Sequence, residues 1–184
     1  MGWIMPASMT QFFNPFFIIV FGSIFSVMWI KLSKMGKNPS IPMKFAYGIA
    51  QLGLGFMVTL LGLQFMDANF QVPLFTLVLL YLLHTTGELF LSPIGLSMVT
   101  KLAPKHIAGT AMGAWFLSFA MANYLGGFIA SLMGGHGGGE DLVGEAGLMM
   151  YTGTFKTIGM ICLGMALLIA ILNKPLKNLM HGVE

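Results

Sequence analysis

Glu88 is the residue whose chemistry fits its surroundings least well. It lies in the segment HTTGELFLSPIGL, residues 84–96, which is otherwise mostly apolar. A carboxylate in such a segment can bind a cation or accept a proton, and His84, one helical turn earlier, could join it in a proton relay. The structural alternatives are an ion pair that holds two helices together and an ordinary hydrogen bond for the imidazole. Pro93 adds an irregularity because it lacks the N–H group that a helix needs.

The composition indicates which solvent surrounds this segment. Of 184 residues, 57% are hydrophobic and only 8% are charged, and a soluble core of this size could not bury so much apolar surface. The sequence therefore predicts a membrane protein that lies in a lipid bilayer. All nine basic residues are lysines and they form no basic patch, which argues against nucleic-acid binding. The single cysteine, Cys162, excludes a disulfide within the chain and a cysteine-rich metal site.

Five apolar runs are long enough to cross about 30 Å of hydrocarbon, which takes about 20 helical residues. They cover residues 4–30, 45–63, 74–99, 107–133 and 154–172. We therefore predict an all-α membrane protein with five transmembrane helices.

The charges between these runs predict the topology. Three segments carry lysines, and by the positive-inside rule they face the cytoplasm. These lysines are Lys31, Lys34, Lys37 and Lys44, then Lys101 and Lys105, then Lys174 and Lys177. The other two loops hold acids instead, namely Asp67 in one and Glu140, Asp141 and Glu145 in the other. This arrangement predicts an outside N-terminus and a cytoplasmic C-terminus. A preceding helix would explain the outside N-terminus, so we expect a piece of a longer or split protein; a complete five-helix protein is the alternative.

Helical spacing places a polar stripe on the third run, with Glu88 near the middle of the membrane. The stripe consists of Tyr81, Thr85, Glu88, Ser92 and Gly95. Such a face should point into a protein interior or an aqueous cavity, where an acid commonly marks the path of a substrate, ion or proton. We also expect the Ser92 hydroxyl to bond the carbonyl of Glu88 where Pro93 bends the helix.

Two other runs contain candidate residues. Asn14 precedes Pro15 inside the first run, where its amide could bind a polar solute or another helix. Trp115 lies deeper in the fourth run than an interfacial tryptophan would, so it either lines a cavity or packs in the core. In the same run the spacing of Gly109 and Gly113 would permit close contact with another helix.

Nearly the whole chain resembles one transporter family. The segment GELFLSPIGLSMVTKLAPKHIAGTAMGAWFLSFAMANYLGG, together with IMPASMTQFFNPFFIIVFGSIFSVMWIKL and PSIPMKFAYGIAQLGLGF before it, resembles the C-terminal bundle of the proton-coupled oligopeptide transporters. These form the POT or PTR branch of the major facilitator superfamily. The pattern GEL-x2-SP-x-GLS-x-VTKLAP is its most specific part. The resemblance implies that the five helices match spans eight to twelve of a twelve-span fold, which agrees with the topology predicted from the lysines.

The resemblance also implies roles for individual residues. Glu88 matches the acid of the tenth span that pairs with a lysine of the N-terminal bundle and helps to hold the amino group of a peptide. Asn14 matches an asparagine that contacts the same amino group, and Ser92 matches the serine one turn after the acid. Trp115 matches a tryptophan that lines a side-chain pocket. The implied substrates are di- and tripeptides, the proton is the coupling ion, and no cofactor or metal is expected.

Much of such a transporter is absent from this sequence. The first-span motif of paired glutamates, arginine and tyrosines, and spans one to seven, have no counterpart here. We therefore predict the C-terminal portion of a peptide:proton symporter of the bacterial inner membrane, inactive without its N-terminal bundle. The alternatives are another major facilitator carrier, and a non-transporting membrane subunit or remnant. An enzyme is not expected because the HExxH, G-x-S-x-G and phosphate-loop patterns are missing.

Overall fold

Long helices account for most of the chain. The computed structural model describes residues 7–67, 71–133 and 145–180. Five long helices follow one another: α2 (Phe13–Lys34), α3 (Ile41–Gly62), α4 (Leu74–Leu102), α5 (Ala108–Met133) and α6 (Glu145–Ile171). The short helices α1 (Ala7–Thr10) and α7 (Asn173–Leu179) lie before and after them. All five long helices are long and apolar enough to cross a membrane, and the described ranges contain no strand, so the predicted all-α fold class is confirmed.

The ends of two helices differ from the predicted runs. The first run is divided, because α1 ends at Thr10 and a turn at Gln11 and Phe12 precedes α2. Pro15 explains this break, since it has no N–H group to bond the carbonyl of Gln11. At the other end of the chain, α6 begins at Glu145, well before residue 154. The predicted outer loop between α5 and α6 lies outside the described residues, including Glu140 and Asp141.

Helix α3 is the centre of the bundle and packs most extensively against α4 and α6. Glycines make this possible. A Cβ atom at Gly48 would lie 2.8 Å from the carbonyl oxygen of Gly87, and one at Gly53 would lie 3.0 Å from the carbonyl oxygen of Gly159. Larger residues at these positions would force the helix backbones apart.

The close helix contact predicted at Gly109 and Gly113 is wrong for the described part of the chain. A Cβ atom at either glycine would meet no described atom within 4 Å. Helix α5 packs chiefly against α4, and most of its side chains are exposed. The glycines that bring helices together therefore lie on α3, α4 and α6 instead.

A polar contact fixes the register of α3 against α4. The hydroxyl of Thr86 on α4 donates to Oε1 of Gln51 on α3 at 2.6 Å. The same hydroxyl oxygen lies 2.7 Å from the carbonyl oxygen of Leu82 in its own helix. Sliding α4 along α3 would break the contact between the buried Thr86 and Gln51, and it would leave Oε1 of Gln51 without this donor in an apolar setting.

Helix α4 continues through Pro93 without interruption. The predicted hydrogen bond from Ser92 to the carbonyl of Glu88 is not formed, since Ser92 makes no hydrogen bond to any described residue. Its side chain lines a cavity instead.

The lysine-bearing segments come together at one end of the bundle. The hydroxyl of Ser40, just before α3, donates to Oδ1 of Asn173 at the start of α7. A second small cavity is lined jointly by the start of α3, the end of α4, and α7, through Ile41, Pro42, Met98, Leu102, Leu176 and Met180. The link before α3, the end of α4 and the α7 segment therefore share one end. Asp67 follows α3 and so lies at the opposite end.

Candidate functional site

A cavity of about 660 Å³ lies among α2, α3, α4 and α5. All the candidate side chains singled out from the sequence, Asn14, His84, Glu88, Ser92 and Trp115, lie on its wall. The other lining residues are Phe45, Ile49, Leu52, Leu91, Ser118, Phe119 and Ala122. The structure thus brings together residues that are far apart in the sequence, against a largely apolar background.

Among the described residues that line this cavity, Glu88 is the only carboxylate and none is a lysine. Its side chain is exposed, and within the described ranges it makes no hydrogen bond or ion pair. Lys156 lies inside the fifth predicted run, but it is exposed on α6 and does not line the cavity. An anion in apolar surroundings is costly, so Glu88 is available to a cation that enters the cavity.

His84 occupies a close-fitting position between the cavity and α3. Its ring lies edge-on to Phe56, with 4.8 Å between the centroids. A Cβ atom at Gly55 would lie 2.4 Å from Cδ2 of His84, so only a glycine leaves room for the imidazole. Nε2 is buried and has no partner among the described residues. An unpaired imidazole nitrogen can bind a proton or a hydrogen-bond donor.

The predicted polar stripe on α4 is only partly continuous with the cavity. Thr85 is fully buried and does not line it. Tyr81 lies two turns from Glu88 and packs against Phe13 of α2, with 6.0 Å between the ring centroids. The cavity therefore uses the section of α4 from His84 to Ser92, and the stripe beyond it serves helix packing.

Trp115 forms an aromatic wall with residues from its own helix and from α3. Its ring lies edge-on to Phe119, with 5.9 Å between the centroids. A Cβ atom at Gly95 of α4 would lie 2.2 Å from Cη2 of Trp115, so the indole rests directly on the α4 backbone. Phe45 of α3 extends the same wall. The sequence analysis did not identify Phe45, Ser118 or Phe119 as lining residues. Of these three, only Ser118 could have been found from helical spacing, because it lies one turn after Trp115.

Asn14 lies near the start of α2, one residue into the helix and close to the turn that precedes it. Its amide can both donate and accept hydrogen bonds, which makes it suited to a polar solute. The described residues contain no group of three or more histidine, cysteine, aspartate or glutamate side chains that could hold a metal ion.

Five helices long and apolar enough to cross a membrane, four of which line a cavity with one acid among its described residues, define a multi-pass membrane protein. Residues 2–138 match the family PTR2, described as the POT family. This match covers most of the chain, and the chain therefore belongs to the POT family.

Curated relatives agree with this assignment. Dipeptide and tripeptide permease B of Salmonella typhimurium is 36% identical over 171 residues, which are 93% of this chain and 35% of the relative. The uncharacterized transporter YclF of Bacillus subtilis is 36% identical over 182 residues, which are 99% of this chain and 34% of the relative. The chain thus spans about a third of the length of the curated relatives it matches. Permeases are transporters rather than enzymes.

Solved structures give the same result for the fold. A crystal structure of peptide transporter POT in complex with sulfate has a TM-score of 0.76 and 35% identity, and the match covers 92% of this chain and 31% of that one. A POT family transporter in complex with a thioalcohol-conjugated peptide has a TM-score of 0.73 and 29% identity, covering 89% of this chain and 30% of that one. The predicted resemblance to peptide transporters is confirmed.

Proposed function

We propose that this chain forms the C-terminal part of the binding cavity of a proton-coupled transporter of di- and tripeptides. The observation that carries the proposal is the single cavity on which Asn14, Glu88, Ser92 and Trp115 meet. Its volume of about 660 Å³ falls within the range of about 300–1,000 Å³ that is usual for small-molecule sites. The relative named dipeptide and tripeptide permease and the solved relative bound to a peptide conjugate support peptides as the solute.

The arrangement of polar and apolar groups suits peptides of varied sequence. All peptides share a charged amino end and a polar backbone, which Glu88, Asn14 and Ser92 can bind through charge-assisted and neutral hydrogen bonds. Peptide side chains differ, and they would lie against the aromatic wall formed by Trp115, Phe45 and Phe119. A site that recognises the common ends and leaves space for the side chains accepts many sequences.

The same carboxylate provides a route to proton coupling. A proton on Glu88 removes the negative charge that holds the peptide amino group, so proton binding and peptide binding at this position influence one another. His84 also lines the cavity one turn from Glu88, but its Nε2, which has no described partner, is buried against α3, so we assign direct proton binding to Glu88 and only a neighbouring role to His84. We therefore assign the proton as the coupling ion and expect no other cofactor.

Transport by such a site requires a second bundle, because alternating access moves two bundles about a central cavity. We propose that an N-terminal bundle completes the cavity and supplies a lysine partner for Glu88. The chain would lie in the bacterial inner membrane with its N-terminus outside and its C-terminus in the cytoplasm. The gathering of the lysine segments at one end of the bundle supports this orientation.

The test is uptake of a labelled dipeptide, under an imposed proton gradient, by cells that express the complete coding region containing this chain. Glu88→Gln should lower uptake by roughly 10- to 100-fold, the cost of a lost charged hydrogen bond. Asp67→Asn is the matched control, since it makes the same acid-to-amide change outside the cavity. Uptake that survives Glu88→Gln at the level of the control would remove Glu88 from the mechanism.

A further inference from the structure

We propose that Gly95 is a positioning residue that sets how far the Trp115 indole projects into the cavity, and thereby which peptide side chains the cavity accepts. The first half of this proposal is purely geometric. The second half rests on the proposed function, because it concerns the solute.

The geometry comes from contacts at the back of the aromatic wall. A Cβ atom at Gly95 would lie 2.2 Å from Cη2 and 2.5 Å from Cζ2 of Trp115, and 3.2 Å from Cζ of Phe45. The two shorter distances are far inside van der Waals contact, which begins at about 3.5 Å between carbon atoms. Gly95 itself is buried. One residue of α4 thus supports aromatic rings from both α5 and α3.

The α4 backbone cannot easily move away from an added methyl group. Helix α4 is held against α3 by the close approach of Gly48 to Gly87 and by the hydrogen bond from Thr86 to Gln51. The indole of Trp115, by contrast, turns on two side-chain torsions and borders a cavity of about 660 Å³. An alanine at position 95 therefore displaces the ring into the cavity rather than the helix away from it.

This displacement narrows the space beside the aromatic wall. Peptides with small side chains should still fit, whereas aromatic side chains should clash with the displaced indole because both need the same space. Selectivity of alanyl-alanine over phenylalanyl-alanine should rise by about tenfold in Gly95→Ala, which is within the range that shape differences in an apolar pocket produce.

The position of the ring can be measured without transport. The complete protein containing this chain is purified in detergent with every tryptophan except Trp115, including Trp3 and Trp29, replaced by phenylalanine, so that fluorescence reports Trp115 alone. It is compared with and without Gly95→Ala. We expect emission at longer wavelength and stronger quenching by acrylamide in the variant. Gly113→Ala is the control, because it lies two residues from Trp115 and its Cβ atom would meet no described atom within 4 Å. Emission and quenching that match this control would overturn the proposal.

Competition uptake then tests the consequence for selectivity. Cells that express the complete coding region are given a labelled dipeptide with alanyl-alanine or phenylalanyl-alanine as competitor. In a Trp115→Phe background, Gly95→Ala should leave the ranking of the two peptides unchanged, because phenylalanine lacks the two atoms that clash. The Trp115→Phe background also serves as a control if Gly95→Ala alone misfolds, because removal of the clash should allow the double variant to fold.

The outcomes separate this proposal from the proposed function. If no form of the transporter takes up dipeptides, the proposed function fails, while the fluorescence measurement still decides whether Gly95 positions the indole. If the indole moves but the ranking of peptides stays the same, the selectivity half of the proposal is wrong.

Discussion

Glu88 and His84 lie one helical turn apart on α4, yet their surroundings differ. The carboxylate is exposed to the cavity and has no described partner, whereas the imidazole is enclosed by Phe56 and Gly55. Glu88 can therefore meet a solute directly. His84 is held in one position by packing, with its Nε2 buried against α3, so its role is that of a neighbour to Glu88.

The enclosure of His84 predicts that Gly55→Ala destabilises the protein. The added methyl group would lie 2.4 Å from Cδ2 of the imidazole, and overpacking of this kind costs about 1–3 kcal/mol. The free energy of unfolding, measured by denaturant titration of the purified protein in detergent, should fall by that amount.

Gly22→Ala is the control for this measurement, since a Cβ atom there would meet no described atom within 4 Å. It should be neutral or stabilising by up to about 1 kcal/mol, because alanine favours helices over glycine. In a His84→Ala background, Gly55→Ala should cost little further stability, because the added methyl group no longer meets the imidazole. If Gly55→Ala were as stable as Gly22→Ala, the close fit around His84 would be refuted.

At this scale the sequence predicted the polar residues of the cavity wall except Ser118, but only Trp115 of its apolar and aromatic residues. Asn14, Glu88 and Ser92 were recognisable because a polar residue stands out in an apolar run. Phe45 and Leu52 were not, because a transmembrane helix is apolar on its lipid-facing side and on its cavity-facing side alike. Only the neighbouring helices determine which apolar residues border the cavity.

At the scale of helices, α3 determines the arrangement of the bundle because glycines let it approach two neighbours closely. The sequence contains 24 glycines, and spacing alone could not show which of them face another helix. Gly109 and Gly113 have suitable spacing but face open space among the described residues, whereas Gly48 and Gly53 make the contacts. The helices themselves could be predicted from the lengths of the apolar runs. Which helix packs against which could not.

Gly48→Ala should separate α3 from α4. Its Cβ atom would lie 2.8 Å from the carbonyl oxygen of Gly87, and a backbone atom cannot rotate aside as a side chain can. We expect a loss of about 1–3 kcal/mol or more in the free energy of unfolding. Gly164→Ala on α6, where the methyl group meets open space, provides the comparison in the same assay. Equal stability of the two variants would mean that this contact does not hold the helices together.

At the scale of the whole molecule, charge and packing indicate the same end of the bundle. The contact of Ser40 with Asn173 and the shared packing of α3, α4 and α7 bring the lysine-bearing segments together. Lys44 at this end is buried, with its amine 4.7 Å from the ring centre of Trp29. These contacts connect segments that are widely separated along the chain, so they add information that the distribution of lysines alone does not contain.

Thiol labelling of intact cells tests the proposed orientation. In a Cys162→Ser background, a membrane-impermeant reagent should label Asp67→Cys in intact cells and Lys37→Cys only after the membrane is opened. The physical reason is the positive-inside rule, which keeps the lysine segments in the cytoplasm. Labelling of Lys37→Cys in intact cells, with Asp67→Cys protected, would reverse the topology.

Glu88 is the one carboxylate among the described residues of the cavity wall, and its charge has an electrical consequence. A dipeptide with one charge of each sign is neutral overall, so its entry leaves the net charge of the wall unchanged. A proton, by contrast, neutralises the Glu88 carboxylate. Each elementary charge that crosses a potential of 100 mV changes in energy by about 2.3 kcal/mol. If the proposed function holds, membrane voltage would act on the filling of this cavity through the charge of Glu88, and current recorded across the membrane would count protons rather than peptides.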